Sequence, residues 1–268
     1  MPHTLSPHPC NLTPLTARHY NSALSIWLSV DPMSDKYPGV SPYMYCANNP
    51  VVLKDPNGRD VYDFDKKGNL IHTIKNTDND IIRVVNKRGR VISSKTYDYG
   101  TVIKDNSDDS KFDKTTLSIK DDESRTLIFE QLASNTNVEW ATINATKEED
   151  GKKEERNYIS NSGSRKENAM TDLVRQLYAD GFTANEVSHS HRKKIFGSNC
   201  PSGYGFLGDQ VAGGDREAFL NIRKLWSNVV VKVFDANNRH YYELGPTKDD
   251  IIDINTKGER KPYNPYGQ

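Results

Sequence analysis

The feature that most constrains the fold is a change of hydrophobic period near residue 120. From Asp60 to about Ser118 apolar residues come in short runs, VYDF, LIHTI, IIRVV and VIS, separated by glycine turns at Lys67-Gly68-Asn69 and Lys87-Arg88-Gly89-Arg90. Short β-rich runs joined by glycine turns read as hairpins. The turns lie in similar surroundings, FDKKGNLI and VNKRGRVI, which suggests a degenerate repeat in too few copies for a solenoid. The acidic stretch DNSDDSKFD, Asp105 to Asp113, reads as a linker, because it lacks the glycine and closing glutamate of a calcium loop.

Beyond this stretch the period becomes about three and a half. Residues 122–134 predict a helix with Leu127, Ile128 and Leu132 on one face and acidic residues in its first turn. VEWATINA predicts a strand, and KEEDGKKEER (147–156) a solvated charged loop. A second helix carries Ala169, Met170, Leu173, Val174, Leu177 and Tyr178, with Gly181 as its stop. NEVSHSH is a further strand, followed by a Gly/Pro/Ser-rich stretch from Gly197 to Gly214. A third helix then opens with Asp215 as N-cap, and VVVKVF, an Asn237-Asn238 turn and RHYYEL close with a hairpin that includes His240 as an ordinary strand residue. This order predicts an α+β (or α/β) fold, a central mixed β-sheet flanked by helices and preceded by a hairpin-rich segment.

The composition narrows the function. Lys+Arg and Asp+Glu both number 36, so no net field draws the chain to nucleic acid or to an anionic membrane. No run of 18 apolar residues offers a transmembrane helix, and Met1 to Cys10 has no apolar signal core. The three cysteines, Cys10, Cys46 and Cys200, form no CxxC pair, so a metal site here must use histidines and carboxylates.

His189-Ser190-His191 fits that requirement. In a strand, side chains alternate faces, so His189 and His191 point the same way with Val187, while Glu186, Ser188 and Ser190 point the other. Two imidazoles on one face can grip one zinc ion, which needs a third protein ligand and keeps a place for water when the site is catalytic.

Two stretches resemble known families. Residues 19–59, with Tyr43, Tyr45, Asn48, Asn49, Pro50 and a closing Asp55-Pro56-Asn57-Gly58, resemble the end of the Rhs/YD-repeat core of bacterial polymorphic toxins. That resemblance implies a shell around a variable C-terminal toxin, with a self-cleavage border to which Asp31 and Asp55 are candidates. Here the first of the paired motifs is Asp31-Pro32-Met33-Ser34, without the usual glycine. Residues 123–244 resemble the JAMM (JAB/MPN) metalloprotease domain, closest in its JAB-like toxin form. The match runs through Val138-Glu139-Trp140, the histidine pair, Pro201-Ser202-Gly203, a Gly-Asp and the last hairpin. Arg192 stands where the family has proline, and the stretch 192–201 makes the spacing to Ser202 longer than usual.

The second resemblance implies that Glu139 is the general base, that Ser202 stabilises the oxyanion, and that His189, His191 and an aspartate at the start of a helix hold Zn²⁺. Two Gly-Asp pairs compete for that aspartate, and Asp215 fits the family pattern better, because a helical pattern follows it at once, whereas a helix opened by Asp209 would hold Gly213 and Gly214 in its first turns at ~1 kcal/mol each. Asp209 is the alternative ligand if the helix starts early. The expected layout is a disordered lead (1–18), the end of an Rhs core (19–59), a hairpin-rich segment with an acidic linker (60–121) and the toxin domain (122–268). The expected function is a zinc-dependent peptidase or isopeptidase delivered as an Rhs-type effector. It would be held in the producer's cytoplasm before export, be carried by a secretion apparatus such as type VI, and act on a protein or peptide in a target cell. A cognate immunity protein would neutralise it, and neither nucleic acid nor membrane is an expected partner. A metal-dependent nuclease toxin and an inactive JAMM-like binding module are the alternatives.

Overall fold

The computed structural model describes residues 12–14, 19–21, 26–30, 41–43, 59–74, 78–105, 115–161, 171–191, 201–202, 204 and 214–264. It is α+β, with mixed sheets and three helices. A three-stranded sheet joins β1 (Leu12–Pro14), β2 (His19–Asn21) and β3 (Ile26–Trp27). Its first strand falls within the stretch expected as an unstructured lead, where antiparallel pairing with β2 orders it. Asp31 and Asp55 lie outside the described residues, as do Asp209 and the three cysteines.

The hairpin-rich segment forms a four-stranded sheet of β4 (Arg59–Phe64), β5 (Leu70–Ile74), β6 (Asp78–Val85) and β7 (Val91–Tyr97), in the order β5-β4-β6-β7. Both glycine turns sit where the sequence places them. Gly68 and Gly89 have φ of +74° and +73°, which glycine adopts without Cβ strain.

A nine-stranded sheet forms the larger layer. Its strands are β8 (Val102–Asp105), β9 (Thr115–Ile119), β10 (Ala141–Glu149), β11 (Lys152–Asn161), β12 (Thr183–His191), β13 (Val230–Asp235), β14 (His240–Glu243), β15 (Ile252–Ile254) and β16 (Arg260–Pro262). Their order is β16-β15-β14-β13-β12-β10-β11-β9-β8. Because β8 and β9 pair with each other and β9 with β11, the sheet crosses the border expected at 121/122.

The three helices are α1 (Asp122–Asn135), α2 (Thr171–Ala179) and α3 (Gly214–Leu225). One face of the large sheet packs its Ile143, Val187, Val231 and Val233 against Leu173, Val174 and Leu177 of α2 and Phe219 of α3. The other face packs Leu117, Ile159 and Phe234 against Ile128, Phe129 and Leu132 of α1, in a cluster that also takes in Tyr62, Phe64, Ile82 and Val84 of the small sheet. Helix α1 therefore lies between two sheets. Gln131 donates to the Ile82 carbonyl at 2.9 Å and accepts from the Tyr97 hydroxyl at 2.9 Å, tying the small sheet to the helix.

Two expectations are corrected. Leu127 is 40% exposed rather than part of the buried face, because a helix covered on two sides buries Arg125, Phe129, Gln131 and Ala133 instead of a single apolar stripe. The expected charged loop at 147–156 is a hairpin, β10 and β11 joined at Asp150-Gly151 with φ of +53° and +71°. Both positive φ values suit a tight Asp-Gly hairpin turn. The charges fall opposite one another in register, Lys147 with Glu154, Glu148 with Lys153 and Glu149 with Lys152, which favours the strand pairing.

Helix α2 stops as expected. The Gly181 N–H bonds the Tyr178 carbonyl at 3.1 Å and the Phe182 N–H bonds the Leu177 carbonyl at 2.9 Å, with Gly181 at φ +81°. This is the Schellman closure.

Candidate metal centre

Strands β12 and β13 run parallel, connected through α3, and the histidine pair occupies the carboxyl end of β12. In α/β units this end, facing the start of the connecting helix, is where sites gather. His189 and His191 share a face, and Asp215 in the first turn of α3 closes on them. The His189 Nε2 lies 2.7 Å from Asp215 Oδ1 and 3.2 Å from His191 Nε2, and His191 Nε2 lies 3.3 Å from the same Oδ1.

Ligands about 2.0–2.1 Å from a tetrahedral zinc lie about 3.3 Å from one another. Two of the three separations match that edge, and the third is shorter by the pull of a direct His-Asp hydrogen bond. All three ligand atoms lie within 4.8 Å of one another, the only such His/Cys/Asp/Glu group among the described residues. The donor set, two imidazole nitrogens and a carboxylate, fits zinc.

Asp215 was expected as an N-cap but lies inside the helix's first turn. Gly214, at φ +76°, makes the turn into α3, and the Asp215 carboxylate is directed back across the loop. There its Oδ2 accepts from the Ser202 backbone N–H at 2.5 Å and from the Ser202 hydroxyl at 3.0 Å, while the Asp215 N–H donates to Ser202 Oγ at 3.1 Å. In this geometry Ser202 orients the aspartate. Tyr204 holds the same loop by donating to the Gly245 carbonyl at 2.8 Å.

Glu139 precedes β10, in the pairing that sets Ala141 opposite His189. The pairing ends there, and the Glu139 carboxylate is close enough to His191 for its charge to favour the imidazolium. Buried Trp140 fixes this segment: its N–H donates to Ser190 Oγ at 2.9 Å, its carbonyl accepts from Ser190 N–H at 2.8 Å, and its indole donates to Thr136 Oγ1 at 2.7 Å. Glu186 faces the other side of the sheet, as strand parity requires. It pairs there with Arg125 at 3.1 Å and with Lys232, and these cations outweigh its burial and hold its pKa below the usual value.

The charges at the centre are strongly coupled. Burial disfavours the cation of His191, but the Asp215 carboxylate, with Glu139 and Asp235 beyond it, outweighs burial and pushes its pKa up to about 9. Burial likewise opposes the Asp215 anion, and the two histidines overcome it and hold its pKa well below the usual carboxylate range. Below pH 9 a metal must therefore displace a proton from His191. Zinc affinity is expected to rise about tenfold per pH unit from pH 7 to 9 and to level off above, with about one proton released per ion at pH 7. Calorimetry in buffers of different ionisation enthalpy measures that proton.

Gly214 gives a second test. A Cβ there would lie 2.3 Å from Ser202 Oγ, in a backbone conformation that side chains rarely adopt. Gly214→Ala is expected to displace Ser202 from Asp215 and weaken zinc binding about 10–100-fold, as loss of an orienting contact around a metal ligand does. Competition with a chromophoric chelator reads this directly.

The sequence does not mark Ser190 as the group that holds Trp140, nor the Gly68 turn as one that packs on Val138. Ser190 carries a signal, since a serine on the buried face of a strand needs a partner; the partner of the turn is set only by tertiary packing.

Fold and geometry thus define an α+β domain with a candidate His-His-Asp metal centre beside a carboxylate. Residues 117–219 match the family model described as JAB-like toxin 1, which supports a JAB-like toxin domain in this part of the chain. The matched stretch contains Glu139, His189, His191, Ser202 and Asp215. No curated protein and no solved structure matches the chain.

Proposed function

We propose that this chain is the C-terminal toxin of an Rhs-type effector and acts as a zinc-dependent peptidase or isopeptidase. The observation that carries the reading is the convergence of His189, His191 and Asp215, at separations of 2.7 to 3.3 Å, with the Glu139 carboxylate close enough for its charge to bear on His191. His189, His191 and Asp215 would hold the zinc ion, which would supply a Lewis acid and lower the pKa of water toward about 7. Glu139 accepts the proton of the attacking water on its carboxylate and returns it to the leaving amine. Asp215 is kept anionic by the two histidines and is oriented by Ser202. The Ser202 hydroxyl, turned from Asp215 toward the scissile carbonyl, donates to the developing oxyanion.

The substrate class is a peptide-like amide in a protein of the target cell. Delivery by the export apparatus of the carrier and neutralisation by a small immunity protein covering the zinc cleft complete the proposal.

The test is to incubate the purified chain with target-cell extract, with and without chelator. New protein N-termini or newly freed lysine side chains, read by mass spectrometry and abolished by the chelator, are the expected result. Intact protein with cleaved nucleic acid would point to the nuclease alternative and overturn the reading.

A further inference from the structure

The two glycine turns of the small sheet are alike in sequence and backbone but not in surroundings. At Gly89 an added Cβ would meet nothing within 4 Å. At Gly68 it would lie 2.6 Å from Val138 Cγ2 and 3.0 Å from Asn161 Nδ2. The Gly68 carbonyl accepts from Thr115 Oγ1 and from Asn161 Nδ2, each at 3.0 Å, and the Lys66 carbonyl accepts from the Asn137 N–H at 2.6 Å. Thr115, Val138 and Asn161 are buried. Just before the turn, at the end of β4, Phe64 meets Trp140 edge to face at 5.8 Å between ring centres.

Thr115 and Asn161 anchor the turn to the large sheet, and its remaining contacts fall on Asn137, Val138 and Trp140, the residues that flank Glu139. Residues 136–140 belong to no helix or strand, so no regular backbone ladder sets their path. Ser190 of β12 holds Trp140 at one end of the segment, and the Gly68 turn holds Asn137 and Val138 at the other. A segment of this kind takes its position from the groups that grip it.

We propose that the Gly68 turn is a positioning element for Glu139, docking against residues 137–140 so that the carboxylate is held at the metal centre. The working unit then reaches upstream of the matched residues 117–219 to β4. This rests on the role proposed above for Glu139. The Gly89 turn, similar in sequence, has no such task and serves as an internal control.

The experiment uses the full chain as parent, Gly68→Ala, Gly89→Ala, Thr115→Val and Glu139→Gln, with cobalt(II) as the probe. Hydrogen exchange at residues 136–140 and the pH profile of the cobalt absorption are both read. Gly68→Ala is expected to speed exchange at 137–140 at least tenfold and to move the pH midpoint in the direction that Glu139→Gln moves it, with cobalt affinity within about threefold of the parent. Thr115→Val, which removes one hydrogen bond without adding bulk, should move both readouts part of the way and decides the matter if Gly68→Ala does not fold. Gly89→Ala, equally strained in φ, should match the parent.

Equal effects from Gly68→Ala and Gly89→Ala would overturn the proposal, because backbone strain alone would then account for them. Parental exchange and pH profiles in both Gly68→Ala and Thr115→Val would overturn it as well. A parent that binds no cobalt refutes the zinc reading, while the exchange comparison still judges the docking.

Discussion

His189→Ala is expected to raise the zinc dissociation constant by about a thousandfold and to abolish toxicity. Zinc sites of this size bind with about 10–16 kcal/mol shared among their ligands, so loss of one ligand costs about 4 kcal/mol, or three decades in affinity. His189 is the closer of the two histidine partners of Asp215, at 2.7 Å, and Asp215 is buried. The substitution therefore also leaves a carboxylate with less compensation for its lost hydration, and the melting temperature of the metal-free protein should fall. Zinc titration and thermal melting on one preparation separate the two effects. A variant that keeps parental zinc affinity would remove His189 from the centre.

Glu139→Gln is expected to behave oppositely in binding and alike in activity. Glu139 is not one of the three clustered ligand atoms, so zinc affinity should stay within about threefold of the parent. Loss of the proton acceptor should lower turnover about 10²–10⁴-fold, the range for a positioned general base. Glutamine keeps the size and a hydrogen-bonding amide, so the fall is not a packing effect. Growth inhibition on expression in a sensitive host, together with the zinc content of the purified variant, checks both halves. Full toxicity in Glu139→Gln would assign the base elsewhere.

Much of the centre was legible because it rests on local rules. The two-residue period of a strand puts His189 and His191 together and sends Glu186 away, and Glu186 indeed lies across the sheet with Arg125 and Lys232. The helical pattern after Asp215 favoured it over Asp209, and the structure brings Asp215 to both histidines. Its exact place was not legible, because the left-handed Gly214 that turns the chain into α3 also lies against Ser202.

Elsewhere, composition concealed the structure. The run Lys147–Arg156 reads as a solvated loop along the chain; residues 148–155 are exposed, but opposite charges fall across from one another in a hairpin once Asp150-Gly151 folds the run back. Helix α1 defeats a one-face reading because two sheets bury it, leaving Leu127 outside and Gln131 inside. The docking of the Gly68 turn on Val138 links residues far apart in sequence, and no local pattern distinguishes it from the Gly89 turn.

The most direct measurement is the zinc content of the full chain after dialysis against trace zinc, taken beside His189→Ala. One zinc per chain in the parent and none in the variant is the expected result. A parent without zinc, or a variant that retains it, would contradict a metal centre at His189, His191 and Asp215.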